Sequence, residues 1–200
     1  MGSQAILGAY HETQLPGQAI SSIEADIVVL DDPTGSGGMA VDAAIGMMSL
    51  FHTANGYYAD GVEMSDLVLP VGWEGRRLHL VTEDAAGGSL DVYFVGVADL
   101  LAGKLGAGRP QDRRFAQAVA RHLADGAPLV DLEEVRRLAA TLDDGIGART
   151  RAMALVGVLL AGGIIDWPNP PTFPGPPPPD PRHRQLTPDV PYGSSLDTPG

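Results

Sequence analysis

The 200-residue chain contains no cysteine. That excludes disulfides, thiol catalysis and cysteine-ligated zinc together. Positive charge is scarce: 13 Lys and Arg stand against 25 Asp and Glu, a formal net charge of -12. Such a chain repels nucleic-acid backbones at long range, which disfavours a broad, non-specific DNA or RNA surface but leaves room for a local basic pocket. Long apolar runs are missing too. The longest, residues 152–165, covers 14 positions, short of the ~20 that cross a bilayer, and reads as a buried helix. The first residues, Met1-Gly2-Ser3-Gln4, lack the basic region and apolar core of a signal peptide. The expectation is a cytoplasmic protein with no membrane association.

Several catalytic signatures are also missing. Residues 35–38 hold glycines without the Lys-Ser/Thr of a P-loop, and His11-Glu12 has no second histidine at metalloprotease spacing. No Gly-x-Ser-x-Gly elbow occurs. The five histidines are scattered, which disfavours a zinc site.

What is present divides the chain. Twelve of the 17 prolines lie in 167–200, a composition that cannot bury enough apolar surface to offset ordering entropy and predicts a disordered tail. The body, 1–166, reads as an α+β domain: an α/β part over 1–96 and a helical part of the same domain over 97–166. A short helix is expected over 4–10. The β-branched run 23–30, stopped by Asp31-Asp32-Pro33, predicts a strand. A glycine loop (35–38) and a helix over 39–51 follow, with Val41, Ile45, Met48 and Phe51 at helical spacing. Strands are expected over 65–71, 77–82 and 90–95, the last two joined by a turn at Gly87-Gly88. Helices are expected over 97–105, 110–123, 131–142 and 148–165, with Pro110 suited to the first helical position.

Glu24 and Asp26 carry the clearest chemistry. Two apart on a strand, they project from one face, and a close carboxylate pair asks for a cation or a proton between them. Mg²⁺ typically takes one or two carboxylates together with substrate phosphates. The plain alternative is the acidic solvent face of an edge strand. Gly2-Ser3 ahead of a helix can offer backbone N–H groups to a phosphate. Lys104 and Arg109 supply a point charge and a planar fork for phosphate oxygens. Asp112 can orient either cation, or simply complement its helix dipole. Tyr57, Tyr58 and His52 are candidates to line a nucleotide site.

Residues 99–112, matching D-L-x-x-x-K-L-x-A-x-R-x-x-D, resemble a segment of an uncharacterised bacterial family of nucleotidyltransferase-like proteins, related to abortive-infection toxin nucleotidyltransferases. Residues 2–8, Glu24-Ala25-Asp26, Phe51-His52 with residues 56–59, and Leu69-Pro70 with Gly72-Trp73 resemble it as well, so that the likeness runs from Gly2 to about Leu138. It implies a mixed sheet with flanking helices, and a helix and strand ahead of the Gly-Ser motif. It implies Mg²⁺ or Mn²⁺ on Glu24 and Asp26 and an NTP cradled by Gly2, Ser3, Lys104 and Arg109. The catalytic set would be Glu24, Asp26, Lys104 and Asp112. A nucleoside monophosphate would pass to an acceptor such as tRNA, a protein or a small molecule. Asp66 and Asp91 are candidates for a third metal carboxylate. The alternative is a catalytically inactive module that binds a cognate protein, as in a toxin–antitoxin pair.

Overall fold

A computed structural model describes residues 2–83 and 87–165, and among these described residues mostly simple local signals build seven α-helices and six short strands. The proline-rich segment 167–200 lies outside the described residues. A 3₁₀ turn, Ser3–Gly8, opens the chain, where a helix over 4–10 is expected. After a second 3₁₀ turn, Glu12–Gln14, and a four-residue helix α1 (Gly17–Ile20), strand β1 covers Glu24–Ile27, half the expected length.

The expected helix over 39–51 is two helices. The first, α2 (Ser36–Ile45), begins inside the expected glycine loop, where the Asp32 carboxylate accepts the Gly37 amide at 2.6 Å. The second, α3 (Leu50–Asn55), is capped by Ser49, whose hydroxyl oxygen accepts the His52 amide. Between them Gly46 ends α2 and Met48 takes a left-handed backbone, φ 67°, a conformation that interrupts any continuous helix. Apolar spacing alone hides that break.

Strand β2 (Tyr58–Gly61) follows Gly56 and pairs parallel with β1, Glu24 beside Tyr58 and Asp26 beside Asp60. The sequence gives it little strand signal. The strand expected over 65–71 is absent: Met64–Asp66 winds as a 3₁₀ turn, and the residues up to Pro70 join no ladder. A ring nitrogen without a hydrogen suits such a segment. Past a 3₁₀ turn at Trp73–Arg76, strands β3 (Leu78–Glu83) and β4 (Ser89–Phe94) form the expected antiparallel hairpin. In place of one mixed sheet the described residues form three separate two-stranded ladders, the third being the two-residue pair β5 (Leu123–Ala124) and β6 (Ala127–Pro128).

The helical part keeps the expected order: α4 (Val97–Ala107), α5 (Pro110–Arg121), α6 (Leu132–Ala139) and α7 (Ala148–Leu160). The last two end short of 142 and 165, and the apolar run 152–165 is not one buried helix: Gly162, at φ 73°, follows the end of α7 and Ile164 is half exposed. Gly108, at φ 65°, lets the chain leave α4 and enter α5 through Arg109, with Pro110 in the first turn. Helix α4 is the centre of the core. Leu100, Leu101, Ala102 and Leu105 are fully buried, and α5, α6, α7 and the Ser3–Gly8 turn pack around them. Burying a Leu or Val side chain contributes about 1.5–3 kcal/mol each, so this helix bundle is the rigid base for the segments that meet at its edge. Among the described residues no helix is long and apolar enough to cross a membrane.

Candidate functional site

Segments far apart in sequence meet where β1, the Ser3–Gly8 turn and the α4–α5 junction come together. A cleft of about 340 Å³ lies there. Seven of the residues singled out for the nucleotide and metal chemistry line it: Gly2, Ser3, Glu24, Asp26, Lys104, Arg109 and Asp112. Asp66, on the Met64–Asp66 turn, lines it too, with Ser22, Val62, Leu67 and Gln111.

Each wall has a local cause. On β1 the two-residue period sends Glu24 and Asp26 to one face and Ala25 to the other, and Ala59, beside Ala25 on β2, is buried. Gly2 comes so close to β1 that a Cβ there would lie 2.8 Å from the Asp26 amide nitrogen. Any other residue would push the Gly2-Ser3 backbone off the strand. Opposite, α4 contributes Lys104, the one lysine of the chain, and the first turn of α5 contributes Asp112.

Asp112 is fully buried and holds both cations. It accepts from Lys104 Nζ at 3.0 Å and from Arg109 Nε and Nη2 at 2.6 and 3.3 Å. Burial pushes its carboxyl up, but the Arg109 hydrogen bond and the Lys104 charge outweigh that and leave it below the usual carboxylate range. Lys104 is buried and lies 5.0 Å over the Phe115 ring. Arg109 is half exposed. Its affinity for the proton is raised first by the Asp112 hydrogen bond, with smaller contributions from the charges of Asp112, Asp26 and Glu24.

The carboxylate wall behaves oppositely. Partial burial raises Glu24 above the ordinary range, and the negative charges of Asp26 and Asp60 raise it further, as does a hydrogen bond shared with Asp26. Tyr58 donates its hydroxyl to Glu24 Oε2 at 3.4 Å, a weak contact that pulls the other way. A carboxylate pair under mutual repulsion is a donor set that fits a hard divalent cation. Among the described residues no group of three His, Asp or Glu side chains is arranged to hold a metal alone.

Three other candidates, Asp91, Tyr57 and His52, go elsewhere. Asp91 lies on the β3–β4 hairpin, where its Oδ1 is 2.6 Å from His79 Nε2, and does not line the cleft. Tyr57 is exposed and meets Phe51 edge-on, while His52 packs against Tyr58 at 4.8 Å between ring centroids. Only Tyr58 touches the carboxylate wall. Asp60 is the residue that sequence reasoning missed. Its register beside Asp26 depends on β2, a four-residue strand without a β-branched side chain, so nothing local marked it.

No family model, no curated protein and no solved structure matches this chain.

Proposed function

We propose that the cleft performs metal-dependent nucleotidyl transfer from an NTP to an acceptor. The observation that carries this reading is the opposition of charges: a repelling carboxylate pair, Glu24 and Asp26, and a cation pair, Lys104 and Arg109, line one cleft. Such a site suits a ligand that is itself bipolar, a polyphosphate with its divalent cation.

In this reading Gly2 keeps the Gly2-Ser3 backbone close against β1 in the cleft wall, where its N–H groups would be offered to phosphate oxygens. Arg109, half exposed and pinned by Asp112, presents its remaining N–H groups to the triphosphate. Lys104 supplies fixed positive charge from below, and Asp112 holds both cations in place before substrate arrives, which lowers the reorganisation needed on binding. Glu24 and Asp26 would hold Mg²⁺ or Mn²⁺, with substrate oxygens completing the shell. The bound ion supplies charge neutralisation between the α-phosphate and the departing pyrophosphate. An acceptor oxygen forms a new bond to the α-phosphorus, the bond to the bridging oxygen breaks with its electron pair leaving on pyrophosphate, and the acceptor proton passes to solvent or a carboxylate. The fold that would go with such chemistry is the nucleotidyltransferase-like one.

Calorimetric titration of Mg·NTP into the wild-type chain and into Glu24→Ala and Asp26→Ala tests the reading. Magnesium-dependent binding that both substitutions abolish is the expected result. A folded chain that binds no NTP in either condition would replace catalysis with the second reading, a non-catalytic module for a cognate protein. That reading draws on the absence of a third converging metal ligand among the described residues.

A further inference from the structure

The β3–β4 hairpin stands apart from the helical core. All six residues of β3 are exposed, whereas β4 rests on the opening 3₁₀ turn, with the Phe94 ring against Gly8. Only β4 is therefore anchored, and among the described residues no backbone hydrogen bond reaches the outer edge of β3. Two-stranded ladders are marginal in water, and three or more strands with an apolar face are needed for independent stability.

The two faces of this hairpin differ. Leu78, Leu80 and Thr82 on β3 share a face with Phe94, Val92 and Leu90 on β4. Leu78, Leu80 and Leu90 leave 37%, 52% and 47% of their surface exposed. The other face carries Glu83 and a stack of side chains. His79 lies parallel to Tyr93 at 4.7 Å, and the Arg77 guanidinium sits 4.4 Å from the Tyr93 ring centroid. Natural edge strands are normally blunted by a proline, a bulge or a charge on the inward face. β3 has none of these: its ladder is unbroken and its inward residues are neutral.

We propose that β3 is a self-pairing edge: two copies of the chain join antiparallel along it into a continuous four-stranded sheet. The charges select a second copy as the occupant. Arg77 and Glu83 bracket the strand at opposite ends, on the same face. With Leu80 opposite itself on the two-fold axis, Leu78 falls opposite Thr82 of the second copy and Arg77 opposite Glu83 of the second copy. Two symmetric opposite-charge pairs then flank an apolar centre, and directly opposed residues on one face are the pairs that stabilise sheets. A parallel arrangement would oppose like charges at both ends. A strand of unrelated sequence has no reason to match this pattern, whereas an isologous contact satisfies it twice.

Sedimentation velocity on the full chain, with circular dichroism to establish folding, tests this. The wild type is expected to be a dimer at micromolar concentration. Arg77→Glu and Glu83→Arg should each weaken self-association at least about tenfold, since each places like charges in contact twice. An equimolar mixture of the two variants should recover the dimer, because every flanking pair in the heterodimer is again opposite in sign. Glu83→Arg leaves the Arg77 stack on Tyr93 untouched, so its effect cannot come from lost hairpin packing. A wild type that stays monomeric overturns the proposal. So does a dimer that ignores both substitutions, or one that mixing fails to restore.

Discussion

Glu24 is a residue whose charge the fold resists. Burial raises its carboxyl, with Asp26 and Asp60 adding to the effect, so the folded chain binds this proton more tightly than the unfolded chain does. The stability it contributes is fully present below the unfolded carboxyl value and is lost as pH rises through the raised folded value. Glu24→Gln removes that loss. The variant should melt about 1–3 °C higher than wild type near neutral pH, a shift typical of a kcal/mol or less in a chain this size. It should also lose any stabilisation by Mg²⁺. Thermal melts between about pH 4 and pH 8, with and without magnesium, give both quantities. A wild type and variant with the same pH slope would show that the carboxylates do not repel as their placement demands.

Between elements, Asp112 ties α5 to α4. The pair with Lys104 is enclosed by Phe115 and the helix bundle, and removing one partner of a buried pair leaves an uncompensated charge. Asp112→Asn should cost about 3–5 kcal/mol, read from urea unfolding. A cost under about 1 kcal/mol would mean that water reaches the pair. This helical half was also the legible half. Pro110, the Asp131 cap that accepts the Glu133 amide, and long apolar periods each act within a few residues, so the sequence carries them openly. The strand half was less so. β2 exists because β1 is there to pair with, and the break at Met48 is a backbone choice closed by the His52 ring, whose Nδ1 accepts the Met48 amide. Neither leaves a periodic trace. The candidate site fell between these cases: Glu24, Asp26, Lys104, Arg109 and Asp112 were visible as chemical types, whereas Asp60 needed a strand register to be noticed.

For the molecule as a whole, a formal charge of -12 sets a background of self-repulsion. Raising the salt concentration shortens the Debye length from about 30 Å at 0.01 M to about 3 Å at 1 M. Stability should therefore increase across that range, by about 2–4 °C in melting temperature for each kcal/mol of repulsion removed. A falling melting temperature would mean that local pairs such as Arg76 with Asp99 outweigh the global field. The placement of the single lysine adds one more consequence. Lys104 is the one side-chain amine of the chain, and it faces the cleft while paired with Asp112 over the Phe115 ring, so an acylating reagent must come through the cleft and wait for that pair to break. The rate of its modification is a clock for the breaking of that pair, and a ligand seated in the cleft would slow it.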